Sequence, residues 1–147
     1  MLSKRNFVKL ILGALLASNA AFGLAADLPD DSVAIHYHRP DGKYQDWGVH
    51  LWRRAGGSPD LPLEGISWGS PMMPSGEDDF GVFWQRRVAE FGKDGKVYYI
   101  IHKGDRKEQL GRDMDFDPKK GREVWVVSGD KNIYFSKEEA LKAIPKQ

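Results

Sequence analysis

Hydrophobic and polar positions alternate most clearly between Val33 and Trp52. Val33, Ile35 and Tyr37 alternate with Ala34, His36 and His38, the period of a strand with two different faces. Arg39-Pro40-Asp41-Gly42 supplies turn chemistry, and the alternation resumes at Trp47. There Val49 and Leu51 point one way, and His50 and Trp52 the other. Two flat, polar-edged rings spaced two apart on a strand form a platform about 7 Å long, a size that suits stacking against a sugar ring.

The remaining pattern is one of short strands between Gly, Pro and Asp punctuation. Arg53–Pro62 and Gly69–Asp79 read as loops, with the short apolar piece Ile66-Ser67-Trp68 between them. Phe80–Phe91 reads as a strand rather than a helix, because of its valines and aromatics. Lys93-Asp94-Gly95-Lys96 is a hairpin signal. Val97–His102, apolar on both faces, predicts a central strand, and Glu123–Ser128 another buried one. Lys103–Arg112 reads as a polar loop, and Ile133–Phe135 as a last short strand. Ser136 with Glu139 makes a capping box, so Lys137–Ala143 is predicted to form a short C-terminal helical turn ended by Pro145. Six or seven short strands with so little helix predict an all-β fold, a β-sandwich.

The first 26 residues stand apart. Lys4, Arg5 and Lys9 precede the apolar run Leu10–Ala17 and a stretch of small residues to Ala26, the layout of a secretory signal peptide. The apolar run is shorter than the roughly 20 residues a membrane anchor needs. Residues 27–147 are then expected to form a single module, exported to the periplasm or the cell exterior. Without the leader's three basic residues, the 22 Lys and Arg become 19 against 21 acidic residues, a net charge of −2. That balance gives no electrostatic footprint for nucleic acid, and no membrane association is expected after cleavage. The absence of cysteine excludes disulfides, thiol catalysis and Cys-ligated zinc.

Candidate chemistry is sparse. Asp113-Met-Asp115-Phe-Asp117 resembles the start of a calcium loop, but Pro118 and Val124 stand where a glycine and a glutamate are needed. His36 and His38 share a strand face and, with His102, would make a minimal zinc set; packing and hydrogen bonding are the expected roles. Glu64, Asp78 and Asp79 offer carboxylates for glycoside hydrolysis but sit in loops with nothing to separate their pKa values. No cofactor is expected. Of the five tryptophans, Trp84 and Trp125 sit inside apolar runs and Trp47 shares strand parity with Val49 and Leu51, so all three are expected in the core. Trp52 lies on the opposite face, and Trp68, between two loops, fits either environment.

Several ordered motifs add a family resemblance. HYHRPDG at 36–42, WGVHLW at 47–52, GEDDFG at 76–81, IHKGD at 101–105 and EVWVVSGD at 123–130 follow one another in a chain that resembles the bacterial pullulanase-associated domain, carbohydrate-binding module family 41. The resemblance implies an immunoglobulin-like β-sandwich that binds α-glucans such as amylose, amylopectin, pullulan and maltooligosaccharides. The stacking positions implied are His50 and Trp52, where many relatives carry tryptophan at both. Lys107 and Asp113 are implied as the polar pair, although Arg106–Arg112 departs from the family's loop pattern. Arg106 matches a further stacking position, and Lys103 and Asp105 are expected to shape the same loop. The family's modules usually belong to large debranching enzymes. At 147 residues there is no room here for a catalytic barrel of about 250 residues. A non-catalytic, free-standing binding protein or the remnant of a larger enzyme is therefore expected. Two other functions stay open: a small exported glycan hydrolase, and a sandwich whose aromatic face binds a protein partner.

Overall fold

The computed structural model describes residues 28–54 and 60–146. The predicted leader and residues 55–59 of the first predicted loop lie outside them.

Two sheets face each other. One has the order β4 (Gly76–Glu77), β5 (Val82–Arg87), β1 (Ser32–His38) and β9 (Glu123–Val127). The other runs β3 (Leu61–Pro62), β2 (Gly48–Arg53), β6 (Val97–Lys103) and β7 (Arg106–Lys107), with β8 (Met114–Phe116) also paired to β6. β1 and β9 are parallel, and the other pairs antiparallel. This is the sandwich the strand pattern predicts, mostly β with one short helix. Among the described residues no helix is long and apolar enough to cross a membrane.

The alternation explains the core. Val33, Ile35 and Tyr37 of β1 meet Val49 and Leu51 of β2, Tyr99 and Ile101 of β6, and Val124 and Val126 of β9 between the sheets. Trp84 and Trp47 belong to this core, as the apolar run around the first and the parity of the second predict. Trp125 faces the other way, into a second cluster with Phe80, Val127 and Ala140. Ala140 lies on α1 (Lys137–Ala143), whose first turn is capped by Ser136 accepting the Glu139 N–H at 3.2 Å. Gly81 is required where it stands, because a Cβ there would lie 2.1 Å from the Tyr37 carbonyl oxygen.

Four expectations are corrected. Lys93–Lys96 does not close a hairpin, since β5 and β6 belong to different sheets; the turn carries the chain across the sandwich. Phe80–Phe91 is a strand followed by a 3-10 turn at Val88–Phe91. The loop Lys103–Arg112 contains β7 and a 3-10 turn at Gln109–Gly111. The last predicted strand is reduced to one bridge, Trp125 with Tyr134.

His36 is buried on the outer face of the first sheet. Its Nδ1 lies 2.6 Å from Asp78 and its Nε2 3.0 Å from Glu123, and its ring stacks on Trp125. Burial alone would lower its pKa, but the hydrogen bonds and charges of Asp78 and Glu123 prevail and hold it above the ordinary 6.5. Burial acts against ionised Asp78 too, and is outweighed by His36 and the Gly81 N–H, so its pKa falls below 3.8. By linkage, the His36 contribution to stability is complete below pH 6.5 and is lost as pH rises through the raised folded value. The Asp78 contribution is present above pH 3.8 and is lost as pH falls through the lowered one. Thermal melts across pH are therefore expected to peak between these limits. His36→Gln should flatten the alkaline fall; an alkaline limb unchanged in that variant would refute the assignment.

Candidate functional site

The outer face of the five-stranded sheet carries the aromatic site. Register fixes its members: His50 pairs with Ile100, Trp52 with Tyr98, and Gly48 with His102. On the next strand Lys107 pairs with His102. Gly48 leaves space that the following segment fills, because a Cβ there would lie 2.8 Å from Pro71. Met72 anchors that segment through reciprocal backbone bonds to Val49, both 2.9 Å. The Trp84 indole also donates to the Met72 carbonyl at 2.9 Å. Upstream, Ser67 and Ser70 exchange backbone bonds of 3.1 Å and form a tight turn with Trp68 and Gly69 at its tip.

This turn lays Trp68 flat over His102, with ring centroids 3.9 Å apart and 4° between the planes. His50 meets the Trp68 ring edge-on at 5.6 Å and tilts 31° from Trp52 at 5.7 Å. The Lys107 ammonium lies 5.0 Å from the Trp68 centroid. His50, Trp52, Asp60, Pro62, Trp68, Ile100 and Asp113 line one open groove of about 260 Å³. A larger cleft of about 740 Å³, beside Pro29, Ser32 and Arg86, has no aromatic lining. Volume alone would favour that cleft, but flat apolar rings with polar groups at the rim are what recognise a sugar.

Three ring nitrogens at the site have no hydrogen-bond partner among the described residues: His50 Nδ1, Trp52 Nε1 and His102 Nε2. His102 Nδ1 lies 2.8 Å from the Gly104 carbonyl, which can only accept, so in the neutral ring that bond assigns the proton to Nδ1 and leaves Nε2 as an acceptor. Burial, reinforced by neighbouring His102, pulls the His50 pKa below 6.5 against the opposing influence of the Ser67 backbone and Asp113. His50 is thus neutral at pH 7 and presents an uncharged ring.

The structure brings four of the six sequence-predicted residues together: His50, Trp52, Asp113 and, across Trp68, Lys107. It separates Lys103 and Arg106. Strand alternation turns them away from Lys107, toward Trp47 at the end of the sandwich. There Lys103 Nζ donates to the Gln45 carbonyl at 3.0 Å, and the Arg106 guanidinium lies 5.6 Å from the Trp47 ring. The platform is also rearranged. Trp52 is only 5% exposed and forms floor, whereas Trp68, at 36%, is the accessible wall. Sequence left Trp68 open; the small polar residues flanking it were the available signal of a displaying turn.

The other candidates disperse. Asp78 is occupied by His36, Asp79 pairs with Lys137, and Glu64 lines a different cleft with Arg53 and Glu90. None of the three borders the groove. His36 and His38 lie in the opposite sheet from His102. Among the described residues no three His, Cys, Asp or Glu side chains converge as a metal set.

Comparison with known proteins gives a consistent picture. Residues 31–135 match the bacterial pullanase-associated domain. An α-amylase of Streptomyces lividans is 31% identical over 76 residues, covering 52% of this chain and 7% of the amylase. Ligand-free PulA from Klebsiella pneumoniae superposes with a TM-score of 0.62 at 21% identity, over 79% of this chain and 12% of PulA. A structure of family 41 carbohydrate-binding modules from streptococcal virulence factors, described as showing α-glucan recognition, gives 0.58 at 20% identity, over 74% of this chain and 49% of that one. The two structural likenesses show the fold. The chain spans less than half the length of each of these relatives.

Proposed function

The chain belongs to the bacterial pullanase-associated domain family, and from that membership and the groove we propose that it is an exported, non-catalytic module that binds α-glucans: amylose, amylopectin, pullulan and maltooligosaccharides. The observation that carries this reading is the Trp68–His50–Trp52 wall and floor, with Lys107 and Asp113 at the rim. Rings cover the apolar face of a glucose unit, while an ammonium and a carboxylate orient its hydroxyls. The α-glucan recognition named for the streptococcal modules supports the same ligand class.

A shallow groove with few contacts gives modest affinity, a dissociation constant between micromolar and millimolar, or about −4 to −8 kcal/mol. It holds a polymer without distorting it, so binding lowers no barrier. Electrophoresis in native gels containing amylopectin, pullulan or dextran tests the reading. Retardation by amylopectin and pullulan but not by dextran is expected. Unchanged mobility in all three would overturn the reading and favour a protein partner for the aromatic face.

A further inference from the structure

The outer face of the five-stranded sheet holds more aromatic surface than the groove uses. Beyond Trp52 lies its cross-strand partner Tyr98, the two rings stacked with centroids 5.9 Å apart and 28° between planes. With Ile100 they form an apolar cluster separate from the core between the sheets. Tyr98 is covered by a side chain: the Arg54 guanidinium lies 4.6 Å from its ring centroid. Arg54 is itself half exposed, and its ion pair with Asp60, a groove residue, is exposed and long at 3.6 Å. Exposed cation–π contacts and exposed ion pairs are weak, so this cover is displaced at little cost.

Two further observations point to a ligand. The Trp52 indole N–H is buried without an acceptor among the described residues, an arrangement that is rare and unfavourable until an oxygen arrives to meet it. The Tyr98 hydroxyl donates to Asp94 Oδ2 at 2.8 Å, which fixes the ring; Oδ1 accepts the Lys96 N–H at 3.2 Å, and each carboxylate oxygen keeps a further lone pair for a sugar hydroxyl. The Trp52 ring neighbours both His50, at 31°, and Tyr98, at 28°, so aromatic surface continues from the groove to Tyr98.

We infer that Tyr98 is the floor of a further sugar subsite, continuous with the groove at Trp52 and capped by Arg54 in the unliganded protein. The subsite lengthens the glucan segment held and makes Arg54 a determinant of chain-length preference. This rests on the α-glucan reading above.

Calorimetric titration with maltotriose and with maltohexaose tests it in the native protein, Arg54→Ala and Tyr98→Ala. The preference for maltohexaose over maltotriose should grow by about threefold in Arg54→Ala, the scale of one exposed cation–π contact. It should shrink by a similar factor in Tyr98→Ala. Arg54→Ala removes an exposed side chain and decides the matter even where Tyr98→Ala folds poorly. The same preference in native protein and Arg54→Ala would overturn the subsite while leaving α-glucan binding intact. A reduced preference in Arg54→Ala would overturn it too, by making Arg54 the stacking surface. Failure of the native protein to bind either sugar would overturn both readings.

Discussion

Replacing Trp68 with alanine is expected to weaken maltotetraose binding by about 10- to 100-fold, or about 1.4–2.7 kcal/mol. Trp68 is the exposed ring of the groove, and it is held flat on His102 at 3.9 Å. A ring already fixed in place loses little conformational freedom when a sugar stacks on it, so most of its contact energy reaches the affinity. Its removal also takes away the surface over which Lys107 lies and uncovers His102, so the groove loses wall and rim together. Because Trp68 sits at the tip of a surface turn, the fold should lose only about 1 kcal/mol. Titration calorimetry on the folded variant separates the two effects. Retained affinity would move the stacking surface elsewhere.

The second large effect is on stability. Glu108 is buried at the end of the sandwich and receives four donors. Tyr37 OH donates to Oε1 at 2.5 Å, Ser128 Oγ at 2.7 Å and Arg39 Nη1 at 3.2 Å, while the Gly129 N–H donates to Oε2 at 3.0 Å. Burial, and then the adjacent Glu108 carboxylate, push the Tyr37 phenol far above its ordinary pKa, so it remains a donor at any working pH. Glu108→Ala would take the acceptor from the Tyr37 hydroxyl, the Ser128 hydroxyl and the Gly129 N–H, and would deprive the nearly buried Arg39 of one of its two carboxylate partners. A loss of about 3–5 kcal/mol is expected, the cost of breaking a buried ion pair on one side. For a domain of this size that lowers the melting temperature by about 10–20 °C. A smaller loss is expected for Glu108→Gln, which keeps an acceptor. A melting temperature unchanged in Glu108→Ala would show that the network is not holding this end. Glu108 also directly follows Lys107 and precedes Asp113 in the chain, so the same anchor fixes the segment that supplies the groove's polar rim.

Much of this was readable in the chain because alternation and capping are local signals. The parity of Val49 and Leu51 against His50 and Trp52 survives intact in β2, and the Ser136–Glu139 cap starts α1 where expected. Other features depend on what crosses over a residue. Trp52 has the parity of an outward ring, yet it is nearly buried by neighbours on the same face, while Trp68 is exposed by a turn that docks only because Gly48 lacks a side chain. Two-residue strands such as β3 and β7 are too short to show any period. Without β7, nothing separates Arg106 from Lys107. Once its register with Lys103 and His102 is known, adjacent residues fall on opposite faces. The turn at Lys93–Lys96 likewise has hairpin chemistry but joins two sheets, because turn residues specify the bend and not the partner.

The most direct test of the account is a two-dimensional NMR titration that follows the indole N–H signals of the five tryptophans as maltotetraose is added. Trp52 and Trp68 are expected to shift together and saturably, while the core residues Trp47, Trp84 and Trp125 stay in place. Signals of Trp52 and Trp68 unmoved by sugar at up to about 10 mM, beyond the weakest affinity expected for such a groove, would contradict it.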